Sequence, residues 1–163
     1  MNRILLTLFL VFSHSAVALK SDRDQSVLVE ADEVVEIDFS SGTRIYRGNV
    51  SVRQGTIRIL ADQIELIYKG EQLDHGIATG NPAVFRQRPD GKDHDVIGTG
   101  QRIELDEINN IVTFINNARL RQGGDAIEGE RIVYDMSRDM MSHGDALLCL
   151  TVRRQPSEDC PQH

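Results

Sequence analysis

The chain has 163 residues, carries a formal charge of -7 at pH 7, and is 40% hydrophobic. That length bounds it to one ordinary domain with short appendages. The acidic balance argues against nucleic acid, which selects clustered Lys and Arg, but not against an amphiphile held mainly by its tails.

Met1-Asn2-Arg3 is a positively charged start, Ile4 to Phe12 is an apolar run broken only by Thr7, and Ala16-Val17-Ala18 has the small-x-small form of a cleavage site. Residues 1–18 therefore read as a secretory signal peptide cut after Ala18. The apolar run is too short for a membrane span, which needs roughly 20 residues. The expected mature protein is exported and soluble. Residues 19–26 are charged and aperiodic, as in a flexible lead-in.

From Val27 to about residue 148 the chain alternates apolar and polar residues in short runs, as at Val27/Val29, Ile57/Ile59, Ile64/Leu66 and Ile103/Leu105. Ser41-Gly42, Lys69-Gly70, Asp90-Gly91, Asn109-Asn110, Gly123-Gly124 and His143-Gly144 supply turn chemistry between them. No dozen-residue window holds the spacing of an amphipathic helix, so the class is all-β.

Two motifs alternate along the chain at about thirty to forty residues. One opens a strand: Arg47 to Gly55 reads RGNVSVRQG, Gly80 to Gln87 reads GNPAVFRQ, and Asn117 to Gly123 reads NARLRQG, with a fainter copy at Gly144 to Leu148. The other sets a small residue and two polar residues before an apolar-x-apolar strand, at Ala61 to Leu66, Gly100 to Leu105 and Gly129 to Tyr134. Ala31-Asp32-Glu33-Val34 begins a fourth copy, in which the doubled Val34-Val35 predicts a bulge. Units that each bury one face need their neighbours to complete a core. A closed barrel and an open roll both satisfy this. Gly at each corner suits a strand that bends into an opposing layer, which favours an open β-jelly roll of two facing antiparallel sheets over residues 27–148, followed by a tail, 149–163.

The inward candidates are almost all aliphatic: Val27, Val29, Val50, Val52, Ile57, Ile59, Ile64, Leu66, Val84, Ile103, Leu105, Val112, Leu120, Ile127 and Ile132. They either fill each other's gaps or line a groove for acyl chains, and composition leaves both open. No nucleophile elbow, P-loop, HExxH or EF-hand loop occurs. His94 lies in Lys92-Asp93-His94-Asp95 beside a turn, where alternation across a strand keeps ligands from converging. His75 and His143 are turn residues as well. Neither an enzyme nor a cofactor or metal is expected. Cys149 and Cys160 are the two cysteines; export makes a disulfide between them an expectation, two free thiols being the alternative.

The strings VLVEADEV, YRGNVSVRQGTIRILADQIEL, GNPAVFRQRPDGK, GTGQRIELD and NARLRQGGDAIEGERIVYD resemble the OstA-like (LptA) family of periplasmic lipopolysaccharide-transport proteins over roughly Val27 to Met140. The resemblance implies a twisted open roll, V-shaped in cross-section. It also implies head-to-tail self-association by edge strands and joining to an LptC-like inner-membrane partner and an LptD-like outer-membrane partner. Lipopolysaccharide would be carried with its acyl chains inside. The family's lipid-contacting positions map onto Val27, Val29, Phe85, Ile103 and Leu105; Val50, Val52, Ile64 and Leu66 would extend the same interior. Phe85 falls out of phase with the inward Val84, so Pro82 is expected to shift the register there. Arg47, Arg53, Arg86 and Arg88 would steady phosphates at the rims if they do more than solvate the surface. The rival from another class is a periplasmic adaptor that pairs edge to edge without holding lipid.

Overall fold

The computed structural model describes residues 22–143. Residues 1–21, with the expected signal peptide, the residues from Gly144 onward and both cysteines lie outside the described residues. A 3-10 turn, Asp22–Asp24, precedes nine strands: β1 (Leu28–Glu30), β2 (Glu33–Asp38), β3 (Thr43–Gln54), β4 (Ile57–Lys69), β5 (Gln72–Gln87), β6 (Val96–Asp106), β7 (Ile111–Gln122), β8 (Asp125–Asp135) and β9 (Met140–His143). They form one antiparallel sheet in which each strand from β3 onward pairs with the next, while β1 and β2 share β3 as partner.

Five of the strand pairings lose register in mid-strand, at Arg47/Val50, Leu60/Gln63, Thr79/Ala83, Thr99/Arg102 and Ile115/Ala118. These breaks fall on the repeated motifs. Gly48 and Asn49 have φ of 77° and 44°, and Asn116 and Asn117 have φ of 59° and 54°, the left-handed region that Gly and Asn enter most easily. Ala61-Asp62, Gly100-Gln101 and Gly129-Glu130 occupy the same line on the strands running the other way. The two sequence motifs are thus one device: a bend, met from opposite directions.

The bends divide the sheet into two leaves. The first comprises β2, β9 and residues 43–47, 63–69, 72–79, 102–106, 111–115 and 131–135. The second comprises β1 and residues 50–54, 57–61, 83–87, 96–100, 118–122 and 125–129. Phe85 belongs to the second leaf and Phe114 to the first, and their partners on the intervening β6 are Gly98 and Ile103. Five residues of straight strand span about 17 Å, yet the two rings meet edge to face with centroids 5.8 Å apart. The leaves therefore face each other across a shared core. The two facing layers expected from sequence are the two halves of one continuous sheet.

Inward side chains alternate with outward ones along each leaf and pack into a single apolar cluster. Pro82 sits at the register break of β5, so Phe85 turns inward and is fully buried, while Val84 points out and is half-buried. This corrects the inward assignment of Val84. The break between Val34 and Glu36 is the bulge that the doubled valine predicts, and both valines are exposed.

Candidate functional site

The candidate lipid surface is the inner face of the folded sheet. Val50, Val52, Ile64, Leu66, Phe85, Ile103 and Leu105 are buried in the common cluster, and Val27 and Val29 pack against its rim from the first strand and the residue before it. The fold brings all nine residues to one face. Tyr134, Phe114, Leu120 and Ile132 complete it, each with no exposed surface. The inner face is uniformly apolar and close-packed, a condition in which any guest must displace side chains or part the leaves.

Opposite the line of bends, the hairpin turns of the two leaves meet at a mouth. Here the apolar interior ends in a polar rim: Gln54, Gln87, Asp74 and Glu107 are buried. The Asp22 carboxylate accepts hydrogen bonds from the Thr56 backbone N–H (2.6 Å), the Thr56 hydroxyl (2.7 Å) and Gln87 Nε2 (3.1 Å), all on the second leaf. Arg23 reaches the other way, its Nε 3.7 Å from Glu107 Oε2 in the β6–β7 turn of the first leaf. Further along, Lys92 of the second leaf lies 3.1 Å from Asp139 of the first. Asp139 Oδ1 also accepts from Gln122 Nε2 (2.6 Å) and the Tyr134 hydroxyl (3.0 Å).

Burial and hydrogen-bond partners set the acidities at this rim. Asp74 is held below the usual carboxylate range by its hydrogen bond from Lys69. At Asp139 burial pushes upward, but the hydrogen bonds from Lys92, Gln122 and Tyr134 outweigh it and the group ends low. Glu107 goes the other way, because burial pushes it up against the pull of Arg23. A carboxylate with a depressed folded pKa contributes stability that is present above its unfolded pKa, about 3.9 for Asp, and lost as pH falls through the folded value. Glu107 has the opposite sign: its contribution is present below its unfolded pKa and is lost as pH rises through the raised folded one. Thermal melts followed by circular dichroism are therefore expected to show stability falling below about pH 4. Asp139→Asn, which keeps a residue tolerant of the observed φ of 52°, is expected to flatten that acid limb.

The arginines named from sequence stand outside the interior. Arg86 and Arg88 both pair with Asp95, Arg53 with Glu30, and Arg47 donates to Gln63. Among the described residues no group of three His, Cys, Asp or Glu converges as a metal site, and His94 simply bonds its neighbour Asp93. Sequence reasoning missed the mouth. Its signal was present in the repeat, since the Gln of each Arg-Gln pair (Gln54, Gln87, Gln122) stands at the end of its strand and donates Nε2 to a mouth partner.

The family described as LptA/(LptD N-terminal domain) LPS transport protein matches residues 28–140. The lipopolysaccharide export system protein LptH of Pseudomonas aeruginosa is 36% identical over 136 residues, covering 82% of this chain and 77% of that protein. Lipopolysaccharide export system protein LptA of Escherichia coli K12 is 31% identical over 144 residues, 86% of this chain and 76% of that one. Its namesake in Haemophilus influenzae is 30% identical over 163 residues, 96% and 93% of the two chains. The crystal structure of Pseudomonas aeruginosa LptH, the LptA-homologous periplasmic component of the lipopolysaccharide transport device, superposes with a TM-score of 0.73 at 32% identity. The match covers 78% of this chain and 87% of that one.

Proposed function

We infer the function from one premise: this chain belongs to the LptA/(LptD N-terminal domain) family of LPS transport proteins. The protein is a periplasmic component of lipopolysaccharide transport, and that family is one of carriers rather than catalysts. We propose that it carries lipopolysaccharide from the inner toward the outer membrane, with acyl chains against the inner face made by Val27, Val29, Val50, Val52, Ile64, Leu66, Phe85, Ile103 and Leu105. The observation that supports this is the unbroken apolar inner face running across every strand from β3 to β8. Each CH₂ taken from water there contributes about 0.8 kcal/mol, so several acyl chains offset the work of parting the leaves. Transport along such a face draws its energy from elsewhere.

Among the described residues the sheet ends at β1/β2 on one side and β9 on the other. Free edges accept a further strand. We propose that these edges serve head-to-tail association and the LptC-like and LptD-like partners. Val34, Val35, Ile37 and Phe39, exposed along β2 and its turn, with Phe39 at 85%, give the first edge apolar surface to cover.

A photo-reactive residue at Ile103 or Val27 is expected to crosslink to lipopolysaccharide, and one at the outward Glu104 is not. Crosslinking from Glu104 alone would establish the adaptor reading instead.

A further inference from the structure

The contacts at the mouth are unequal in a way that suggests a moving part. The 3-10 turn and the residues after it are tied to the second leaf by five hydrogen bonds: three to Asp22, and two from Gln54 Nε2 to the backbone carbonyls of Arg23 and Gln25 at 3.3 and 3.4 Å. The described side-chain contact from this segment to the first leaf is the 3.7 Å ion pair of Arg23 with Glu107. Arg23 is 46% exposed, whereas Glu107 is 3% exposed at its side chain. Between this pair and the Lys92–Asp139 pair lies a cleft of about 440 Å³, whose lining runs from both pairs down to Ile57 and Met136. Ile57 belongs to the apolar core and Met136 packs against it, so the cleft leads inward.

We propose that residues 22–26 are a strap that rides on the second leaf and latches the mouth through Arg23–Glu107, with Asp139, held from the second leaf by both Lys92 and Gln122, as a second catch, and that acyl chains reach the inner face when both catches release. This rests on the reading of the inner face as the lipid surface. The closed mouth is poised rather than locked. Closure buries Gln87 Oε1 and Glu107 Oε1 without a hydrogen-bond partner among the described residues, a cost that water relieves when the leaves part. Burial also works against the charge on Glu107 that Arg23 needs. The other charged groups facing Glu107 are Asp22 and Asp106, both acidic, and both weaken its charged form further. Strap and catches are placed by the repeat itself, since Gln54, Gln87 and Gln122 mark the same strand end in three successive copies.

The test uses the full mature chain with Arg23→Ala, Lys92→Ala, the double variant, and Arg23→Lys as the conservative control. Without lipid, amide hydrogen exchange in the turn 107–110 is expected to rise about two- to fivefold per removed catch, the range that a partly exposed ion pair controls, and to stay near the parent value in Arg23→Lys. With purified lipopolysaccharide, the rate of photo-crosslinking from Ile103 is expected to rise by a similar factor while its final yield stays constant. Unchanged exchange in the double variant would overturn the strap, whatever lipid does. Raised exchange with an unchanged crosslinking rate would overturn it as a gate. If exchange rises but no variant, nor the parent, crosslinks from Ile103, the lipid surface is wrong and the mouth is merely a hinge, which also overturns the gate.

Discussion

Gly98→Ala is expected to be among the most damaging single-methyl changes in this protein. Gly98 lies in the second leaf, and a Cβ there would collide with Cε1 and Cζ of the Phe114 ring from the first leaf. That ring is fully buried and held edge-on by Phe85, so it has nowhere to retreat. Overpacking of this kind costs about 1–3 kcal/mol, and Val at the same place more. Because the clash couples one specific pair, Phe114→Leu combined with Gly98→Ala should cost clearly less than the sum of the two single changes. Urea denaturation of the four proteins measures that coupling. Strict additivity would mean the two leaves do not meet at this point.

Phe85→Ala carries the second large effect. Its side chain is fully enclosed, and truncating a buried Phe costs about 3–5 kcal/mol. Val84→Ala, next in sequence but half-buried on the outer face, is expected to cost about 1 kcal/mol or less, as partly exposed positions do. The contrast between adjacent residues reports the phase of β5 beyond Pro82 directly. The reverse order, with Val84→Ala the costlier change, would show that the strand runs in the unshifted register. If the inner face also holds acyl chains, Phe85→Ala should depress lipopolysaccharide crosslinking from Ile103 beyond what its lowered stability explains.

The all-β class, the strand alternation and the aliphatic interior were legible because each is a local property repeated along the chain. Val50, Val52, Ile64, Leu66, Ile103 and Leu105 announce their inward side by period two alone. The doubled valine at Val34-Val35 likewise announces its bulge. Phase across a break was not legible from alternation, and Val84 shows why: a run is read correctly on each side of Pro82 but not through it. The Gly and Asn corners were legible as bends into an opposing layer, but not that both layers belong to one sheet, since the same residues also end hairpins. Least legible was the mouth. Asp22 and Arg23 sit in a charged, aperiodic stretch that reads as a loose lead-in, and their partners Thr56, Gln87 and Glu107 are 34, 65 and 84 positions away. Side-chain contacts at such separations leave no periodic trace. The recurrent Gln at positions 54, 87 and 122 was the one clue in the sequence, and nothing in the alternation marks it as a donor.

The order of the sheet bears on how the protein comes into being. From β3 to β8 every strand pairs with the strands before and after it in the chain, and each bend is encoded within its own strand. Among the described residues no pairing waits for a distant segment, so the loop-closure cost that slows most β-proteins is small at every step. A chain that folds from its N-terminal side can add one bent hairpin at a time to a growing edge. The leaves close as they lengthen, and assembly can follow the order of delivery.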